Sequence, residues 1–509
     1  MASGLTWRVL CVLAVVTSAG CASIPFVEEP SVAAAQPVAM RGSKGPLSAR
    51  ETRRVLRRVA AAAPNATALE RHLAIEQAVA RTPLYTGNET RILRDGAETF
   101  GAMFAAIRAA QHYVLLEYYI LEDVSESGQS LSDLLIEKQK SGVEICIIYD
   151  SIGSLATPGD FFARLRDAGV KIAEFNSPNP IRGGNPFAIN DRDHRKIFVA
   201  DGSLAIIGGV NLSHTYQSAP SGGSSGGSRK PSNSGAARAQ PPQPGAANDA
   251  QAANDTQAAN DPQTRDDPQA ANEPQKTNEP QEAWHDTDLQ LRGPVVHELE
   301  RLYRQQWDAL RAPQSDSAAP AQIADAGDEV VRIIGSDPSA RRSPFYIAII
   351  SAIRSAESRI WITAAYFGPT FQQMHVLLNA ARRGVDVRIL VPSHSDSAPA
   401  LAVQRSHYSS LLRNGVRVFE WSDGISHTKA AVIDGVWCVT GSSNFDQRSV
   451  LFNDEVDAIV LGRDTASRYE TLFTGWQSRA KEITAAEWRK RSMLERAREQ
   501  FWRLWQRLL

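Results

Sequence analysis

His427-Thr428-Lys429-Ala430-Ala431-Val432-Ile433-Asp434-Gly435, followed after five residues by Gly441-Ser442-Ser443-Asn444, decides the fold. The same frame stands earlier as His194-Arg195-Lys196-Ile197-Phe198-Val199-Ala200-Asp201-Gly202, followed after five residues by Gly208-Gly209-Val210-Asn211. Both copies run 17 positions from His to Asn. A lone His-x-Lys carries no signal; two copies with one internal spacing carry a strong one. Alternate side chains of a strand share a face, so His194 and Lys196 can enter one cavity. His427 and Lys429 can do the same from a second lobe. The apolar residues after each Lys bury the strand. Asp201 and Asp434 each precede a Gly, where a turn belongs. The small residues before Asn211 and Asn444 let backbone N–H groups approach an anion. Two imidazoles, two ammonium groups and nearby donors suit a tetrahedral phosphate. An isolated His is more often a hydrogen-bonded core residue, and the duplicated constellation reverses that preference here.

Working outward, the whole body repeats. Ala106-Ile107-Arg108-Ala109-Ala110 heads a strand-like run to Tyr119, and Ala352-Ile353-Arg354-Ser355-Ala356 heads another to Tyr366. A helix with Leu134-Leu135 ends at Gly142-Val143 before the strand Glu144–Tyr149; Leu377-Leu378 and Gly384-Val385 precede Asp386–Val391 in the same way. Leu165-Arg166-Asp167-Ala168-Gly169-Val170 leads to Glu174-Phe175, as Leu412-Arg413-Asn414-Gly415-Val416 leads to Glu420-Trp421. Gly after a helix is a C-cap signal, and the β-branched runs that follow are strands. The fold class is therefore α/β: two duplicated α/β sandwich lobes with the active site at their interface. The first lobe is expected over residues 85–310, a linker over 311–325 and the second lobe over 326–480.

Segments outside the lobes read differently. Trp7-Arg8, the apolar run Val9–Val16 and Thr17-Ser18-Ala19-Gly20 read as a signal peptide over 1–20, too short to span a bilayer stably. Ser-Ala-Gly-Cys resembles a lipoprotein box, which makes Cys21 a candidate lipidation site, although Ser18 stands where Leu is usual. Residues 21–45 read as a flexible tether and 46–84 as a helical segment with Arg53, Arg54, Arg57 and Arg58 on a solvated face. Residues 218–282 form an insertion inside the first lobe. Asn248, Asn254, Asn260, Asn272 and Asn278 fall on a six-residue period, but the units lack large apolar residues to stack as a β-helix. Low-complexity disorder is the expectation there. Residues 481–509 read as a C-terminal amphipathic helix, in which Phe501-Trp502-Arg503-Leu504-Trp505 suits either a membrane interface or packing on the domain. Cys146 and Cys438 lie in strand-like runs and read as buried free thiols. The formal net charge of −1 gives no global attraction to nucleic acid or anionic lipid.

The two motifs resemble those of the phospholipase D superfamily. Asn444-Phe445-Asp446-Gln447-Arg448-Ser449, Asn453-Asp454-Glu455, Trp284-His285-Asp286-Thr287, Leu291-Arg292-Gly293-Pro294 and the Arg489–Leu494 segment are similar to bacterial cardiolipin synthases. That resemblance implies transfer of a phosphatidyl group through a phosphohistidine. By it, His194 would be the nucleophile and His427 the acid and base, an order left open by their near symmetry. Lys196 and Lys429 would hold the phosphoryl oxygens, Asn211 and Asn444 would support, and Glu455 and Asp286 would orient the imidazoles, with Asp201 and Asp434 completing the catalytic set. The resemblance implies no cofactor and no metal. The partner would be a phospholipid membrane surface, with no nucleic acid and no obligate protein partner, and the place an exported, lipid-anchored one at the cell envelope. Two other readings stay open. One is a hydrolase of the same superfamily, acting on phospholipid or less readily on nucleic acid; the other is a non-catalytic tethered scaffold. Intact motifs speak against the second, and no basic and aromatic track suggests nucleic acid.

Overall fold

The structure is a computed structural model, which describes residues 24, 26–27, 39–62, 72–73, 82–177, 190–218, 283–320, 322–337 and 343–508. The first lobe is built on β1 (Leu84–Arg94), β2 (Tyr113–Tyr118), β3 (Glu144–Asp150), β4 (Lys171–Phe175), β5 (Lys196–Ala200), β6 (Leu204–Gly208) and β7 (Thr287–Arg292). Pairing gives the order β1-β7-β6-β5-β2-β3-β4, antiparallel up to β2 and parallel from there. The second lobe uses β8 (Glu329–Ser336), β9 (Arg359–Thr363), β10 (Asp386–Pro392), β11 (Arg417–Trp421), β12 (Ala430–Ile433), β13 (Trp437–Gly441) and β14 (Asn453–Leu461). Its order, β8-β14-β13-β12-β9-β10-β11, repeats the first strand for strand and sense for sense. Antiparallel pairing of β1 with β8, at Asn88 with Glu329 and Tyr85 with Val331, joins the two sheets.

Side-chain alternation explains how each sheet is covered. Phe198 and Ile206 pack with Leu116, Ile147 and Phe104 on the outer side of the first lobe. Their neighbours Ile197, Val199 and Ile207 turn the other way and share a core with Ile333, Val456 and Val460 of the second lobe. The lobes thus meet through a continuous apolar layer, which includes Leu299, Tyr303 and Trp307 of the helix Val296–Ala309. The expected helix ends occur: Gly142 and Gly384 sit at φ of 95° and 93°, left-handed backbone that caps a helix before the next strand. Cys146 and Cys438 are buried free thiols, as expected.

The flanking segments depart from expectation. Within the proposed tether, Met40–Gly42 is a strand that pairs with Gly45–Pro46 and, in parallel, with Leu84-Tyr85. Val27 is buried, and its N–H donates to Gln372 at 3.0 Å. Backbone bonds to a sheet edge outweigh the Pro/Ala-rich composition there. Of the helical segment expected across 46–84, Ala49–Ala62 is a helix and Leu84 already belongs to β1, while 63–71 and 74–81 lie outside the described residues. The C-terminal segment is not one helix: Lys481–Ile483 adds an edge strand to β11, and helices follow at Ala485–Arg489 and Met493–Arg503. Ser492 and Glu495 form a capping box that starts the last helix afresh. The signal peptide, Cys21 and nearly all of the 218–282 insertion lie outside the described residues. Among the described residues no helix is long and apolar enough to cross a membrane.

Candidate active site

Each motif reaches the lobe interface along a short strand that pairs with the opposite lobe. Arg192-Asp193 pairs with Asn453-Asp454, and the His194 N–H donates to the Asp454 carbonyl at 2.9 Å. Ile425-Ser426 pairs with Trp284-His285, and the His427 N–H donates to the His285 carbonyl at 2.7 Å. Backbone pairing therefore fixes both imidazoles. They line one cavity of about 400 Å³ together with Asn211, Asn444, Tyr119 and Tyr366.

The carboxylates are exchanged between lobes. Glu455 of the second lobe lies 3.0 Å from Nδ1 of His194 in the first. Asp286 of the first lobe lies 2.7 Å from Nδ1 of His427 in the second. A carboxylate on Nδ1 fixes that nitrogen as the N–H donor and leaves Nε2 as the basic atom. Nε2 of His194 has no hydrogen-bond partner among the described residues. Both carboxylates begin an acid-x-Asp pair, Asp286-x-Asp288 and Glu455-x-Asp457. The second Asp of each pair accepts from its own lobe's glycine/serine loop, Val210 N–H to Asp288 at 3.1 Å and Ser443 N–H to Asp457 at 3.3 Å. Gly209 is required beside Asp286: a Cβ there would stand 2.4 Å from its carboxylate oxygens. The equivalent Ser442 has room, and its hydroxyl donates to Glu455 at 2.5 Å.

Burial sets the protonation states. It pushes His194 down to about 4, against Glu455, which favours the cation; Lys196 adds to the depression. His427 is lowered by burial and then by Lys429. Burial alone would raise Glu455, but His194 and Lys196 hold it below its ordinary value. Burial pushes Lys196 down to about 7 and also lowers Lys429. Lys429 Nζ stands 2.9 Å from His427 Nδ1, and Lys196 Nζ donates to the His194 carbonyl at 2.7 Å. Asn211 accepts from Ile120 N–H at 3.2 Å, while Oδ1 of Asn444 is buried without a partner among the described residues. No cluster of three or more His, Cys, Asp or Glu poised for a metal occurs among the described residues.

Asp201 and Asp434 require a correction: they do not reach the cavity. Both close the hairpin after the motif strand in left-handed backbone, φ 49° and 53°, which Asp tolerates better than most residues. The Asp201 carboxylate accepts N–H groups of Gln111, His112 and Tyr113 at 2.8–2.9 Å. Asp434 accepts from Glu357, Ser358 and Arg359. Each carboxylate ties its hairpin to the start of the adjacent central strand, at the end away from the imidazoles. Spacing in a sequence cannot tell a cavity residue from a strand-end clamp one hairpin away.

Other wall residues carried less signal. Tyr119 and Tyr366 end the matching strand-like runs of the two repeats, so the duplication marked them jointly. The Tyr119 ring is 5.3 Å from His194, with Lys196 Nζ 5.4 Å over its face. Tyr366 is 5.9 Å from His427, while its neighbour Phe367 stacks on Phe445 in the core. Tyr216, whose hydroxyl lies 3.0 Å from His427 Nδ1, has Ser449 at the matching place in the other repeat, so nothing in the pattern flagged it. Arg195 turns away from the cavity to Glu117 at 3.3 Å and the Ser336 carbonyl at 3.0 Å, bridging the lobes.

Residues 103–219 and 349–476 match the model of the cardiolipin synthase phospholipase D-like domain. Cardiolipin synthase A of Pseudomonas syringae pv. syringae (strain B728a) is 31% identical over 407 residues, 80% of this chain and 72% of that protein. The chain belongs to the cardiolipin synthase family. It is accordingly a phosphatidyltransferase of the phospholipase D superfamily. Cardiolipin synthase of Geobacillus sp. (strain WCH70) is 30% identical over 404 residues, 78% of this chain and 67% of that protein. Phosphatidylserine synthase of Haemophilus influenzae Rd KW20 shares the fold, with a TM-score of 0.54 at 12% identity, covering 86% of this chain and 99% of that one. Within the cardiolipin synthase family frame, the exchanged carboxylates make this a site that neither lobe contains alone.

Proposed function

We propose that the chain condenses two phosphatidylglycerol molecules into cardiolipin, with His194 as nucleophile and His427 as acid and base. His194 Nε2 attacks the phosphorus of the first lipid. The phosphorus–oxygen bond to glycerol breaks, and the leaving oxygen takes the proton of His427. The hydroxyl of a second phosphatidylglycerol then gives its proton to His427 and attacks the phosphohistidine, and the phosphorus–nitrogen bond breaks. Lys196 and Lys429 balance the charge that gathers on the phosphoryl oxygens. The single observation that carries this reading is the pair of cross-lobe carboxylate–imidazole contacts around one cavity. The asymmetry of the two pairs supports the order of roles. Burial lowers both imidazoles, and their partners differ: His194 has Glu455 at 3.0 Å, whereas His427 has Asp286 at 2.7 Å and the Tyr216 hydroxyl at 3.0 Å.

The same reading places the enzyme on a phospholipid surface at the cell envelope, anchored through Cys21 after export. The last helix supports the surface contact. Met493, Leu494, Phe501 and Leu504 are 76%, 80%, 53% and 81% exposed, whereas its Glu499 is buried and pairs with Arg491. A helix with its apolar residues outward suits a lipid interface.

The test is mass spectrometry of products after incubating the protein with phosphatidylglycerol vesicles, wild type beside His194→Ala and His427→Ala. Cardiolipin and free glycerol are expected from wild type alone. Phosphatidic acid without cardiolipin would replace the synthase reading with a hydrolase, and equal product from either variant would remove the histidines from the mechanism.

A further inference from the structure

A condensation of two phospholipids must accommodate two phosphates in one cavity, one that reacts and one that does not. The reacting phosphate has Lys196 and Lys429 beside the imidazoles. The second, a glycerol away on the acceptor, needs a cation of its own, because an unpaired charge in a half-buried cavity is costly. Two arginines line the cavity, Arg192 and Arg448. Arg192 is committed: its Nη1 lies 3.2 Å from the buried carboxylate of Asp150.

Arg448 is not committed in that way. It stands in the short helix Gln447–Leu451, half-buried, with no carboxylate within 4.0 Å among the described residues. Among the described residues its guanidinium donates only to two backbone carbonyls, Leu508 and Asn190, each at 3.3 Å. A guanidinium carries five donors, so three have no partner among the described residues, and the residue lines the cavity. The nearest acid in sequence, Asp446, accepts the Ser449 N–H at 2.8 Å and makes no ion pair with Arg448 within 4.0 Å. The two carbonyls come from different parts of the chain, Asn190 before His194 and Leu508 in the C-terminal segment, and they tether the guanidinium.

We propose that Arg448 is the binding site for the non-reacting phosphodiester of the acceptor lipid. A guanidinium fork matches two phosphate oxygens at once. The inference rests on the phosphatidyl-transfer reading and adds what selects the acceptor: a hydroxyl that carries a phosphate nearby is held at the phosphohistidine in preference to one that does not.

The experiment supplies full-length protein with phosphatidylglycerol vesicles and ethanol together and measures cardiolipin against phosphatidylethanol. Ethanol resolves the same intermediate but has no phosphate. In Arg448→Gln, and in Arg448→Met as a second neutral replacement, the ratio of cardiolipin to phosphatidylethanol falls by about tenfold or more, the loss of one charge-assisted contact. A ratio unchanged in either folded variant overturns the proposal, whether both products fall together or neither falls. The wild-type chain gives an independent arm: glycerophosphoglycerol as a soluble acceptor should outcompete glycerol, and equal use of the two overturns the assignment. If wild type makes neither cardiolipin nor phosphatidylethanol, the transfer reading itself has failed, which is a different result from an unchanged ratio.

Discussion

At the scale of single residues, burial sets the conditions for chemistry. An imidazole attacks phosphorus only as the neutral base, and His194 is neutral above about 4 because the buried site penalises its cation. Its folded value lies below the ordinary one, so acid inactivates only where the ring is finally protonated. For a short-chain, micelle-free phosphatidylglycerol, the acid limb of kcat/KM, where His194 takes up its proton, is therefore expected to have its midpoint at about 4. A midpoint near the ordinary histidine value, about 6.5, would show that His194 is solvated or is not the attacking group. The residues of this site differ in how far the chain announced them. His194, Lys196, His427 and Lys429 were legible because two copies share one spacing, and Asp286 and Glu455 only through the resemblance to bacterial cardiolipin synthases. Asp288 and Asp457 sat two positions further on in both repeats and could have been found by aligning them. Tyr216 could not, since the short helix at the matching place in the second lobe carries Ser449 there. Asp201 and Asp434 were legible as turn residues, and chemistry was ascribed to them only because they share the motif's spacing.

At the scale of elements, periodicity predicts that a face exists but not which way it turns. The strands and helices of both lobes followed from glycine caps and β-branched runs, since local propensity and burial agree there. The C-terminal segment failed as a single helix because Lys481–Ile483 finds a free edge on β11, a partner far away in sequence. In its final helix the apolar stripe faces outward and the polar residues face the domain. Gln506 donates to the carbonyls of Gly368 and Pro369 at 2.9 and 2.7 Å, and Arg491 meets Glu499 at 3.0 Å. Seven basic residues against two glutamates over 489–507 add attraction for anionic lipid. Phe501→Asp with Leu504→Asp should reduce sedimentation with phosphatidylglycerol vesicles by about tenfold or more, given roughly 1.5–3 kcal/mol for each buried apolar side chain. Turnover of a soluble short-chain lipid should change far less. Undiminished sedimentation would assign the stripe to something other than a membrane.

At the scale of the molecule, the duplication was the most legible feature, and the joining of the lobes the least. The repeats predicted two equivalent sheets; the pairing of β1 with β8, the apolar layer between the lobes and the short cross-lobe strand pairs at the motifs make them one body. The insertion is bounded by residues that nearly touch, for the rings of Tyr216 and Trp284 are 5.3 Å apart. Both also contact His427, at 6.0 and 5.1 Å. Replacing residues 219–282 with a short Gly/Ser bridge should therefore leave the thermal midpoint within about 3 °C and retain cardiolipin formation, since closing a loop between adjacent ends costs little. A collapse of activity with an unchanged midpoint would show that the segment serves the reaction and not merely the connection.

The exchange of Glu455 and Asp286 between lobes has a last consequence. Two imidazoles related by a strict two-fold axis are interchangeable, so which one attacks and which one shuttles the proton would be drawn anew at every turnover. One continuous polypeptide is released from that axis. Here a glutamate with a serine beside it serves one ring, and an aspartate with a glycine and a tyrosine beside it serves the other. Covalent fusion of two like halves is what permits a lasting division of labour between them.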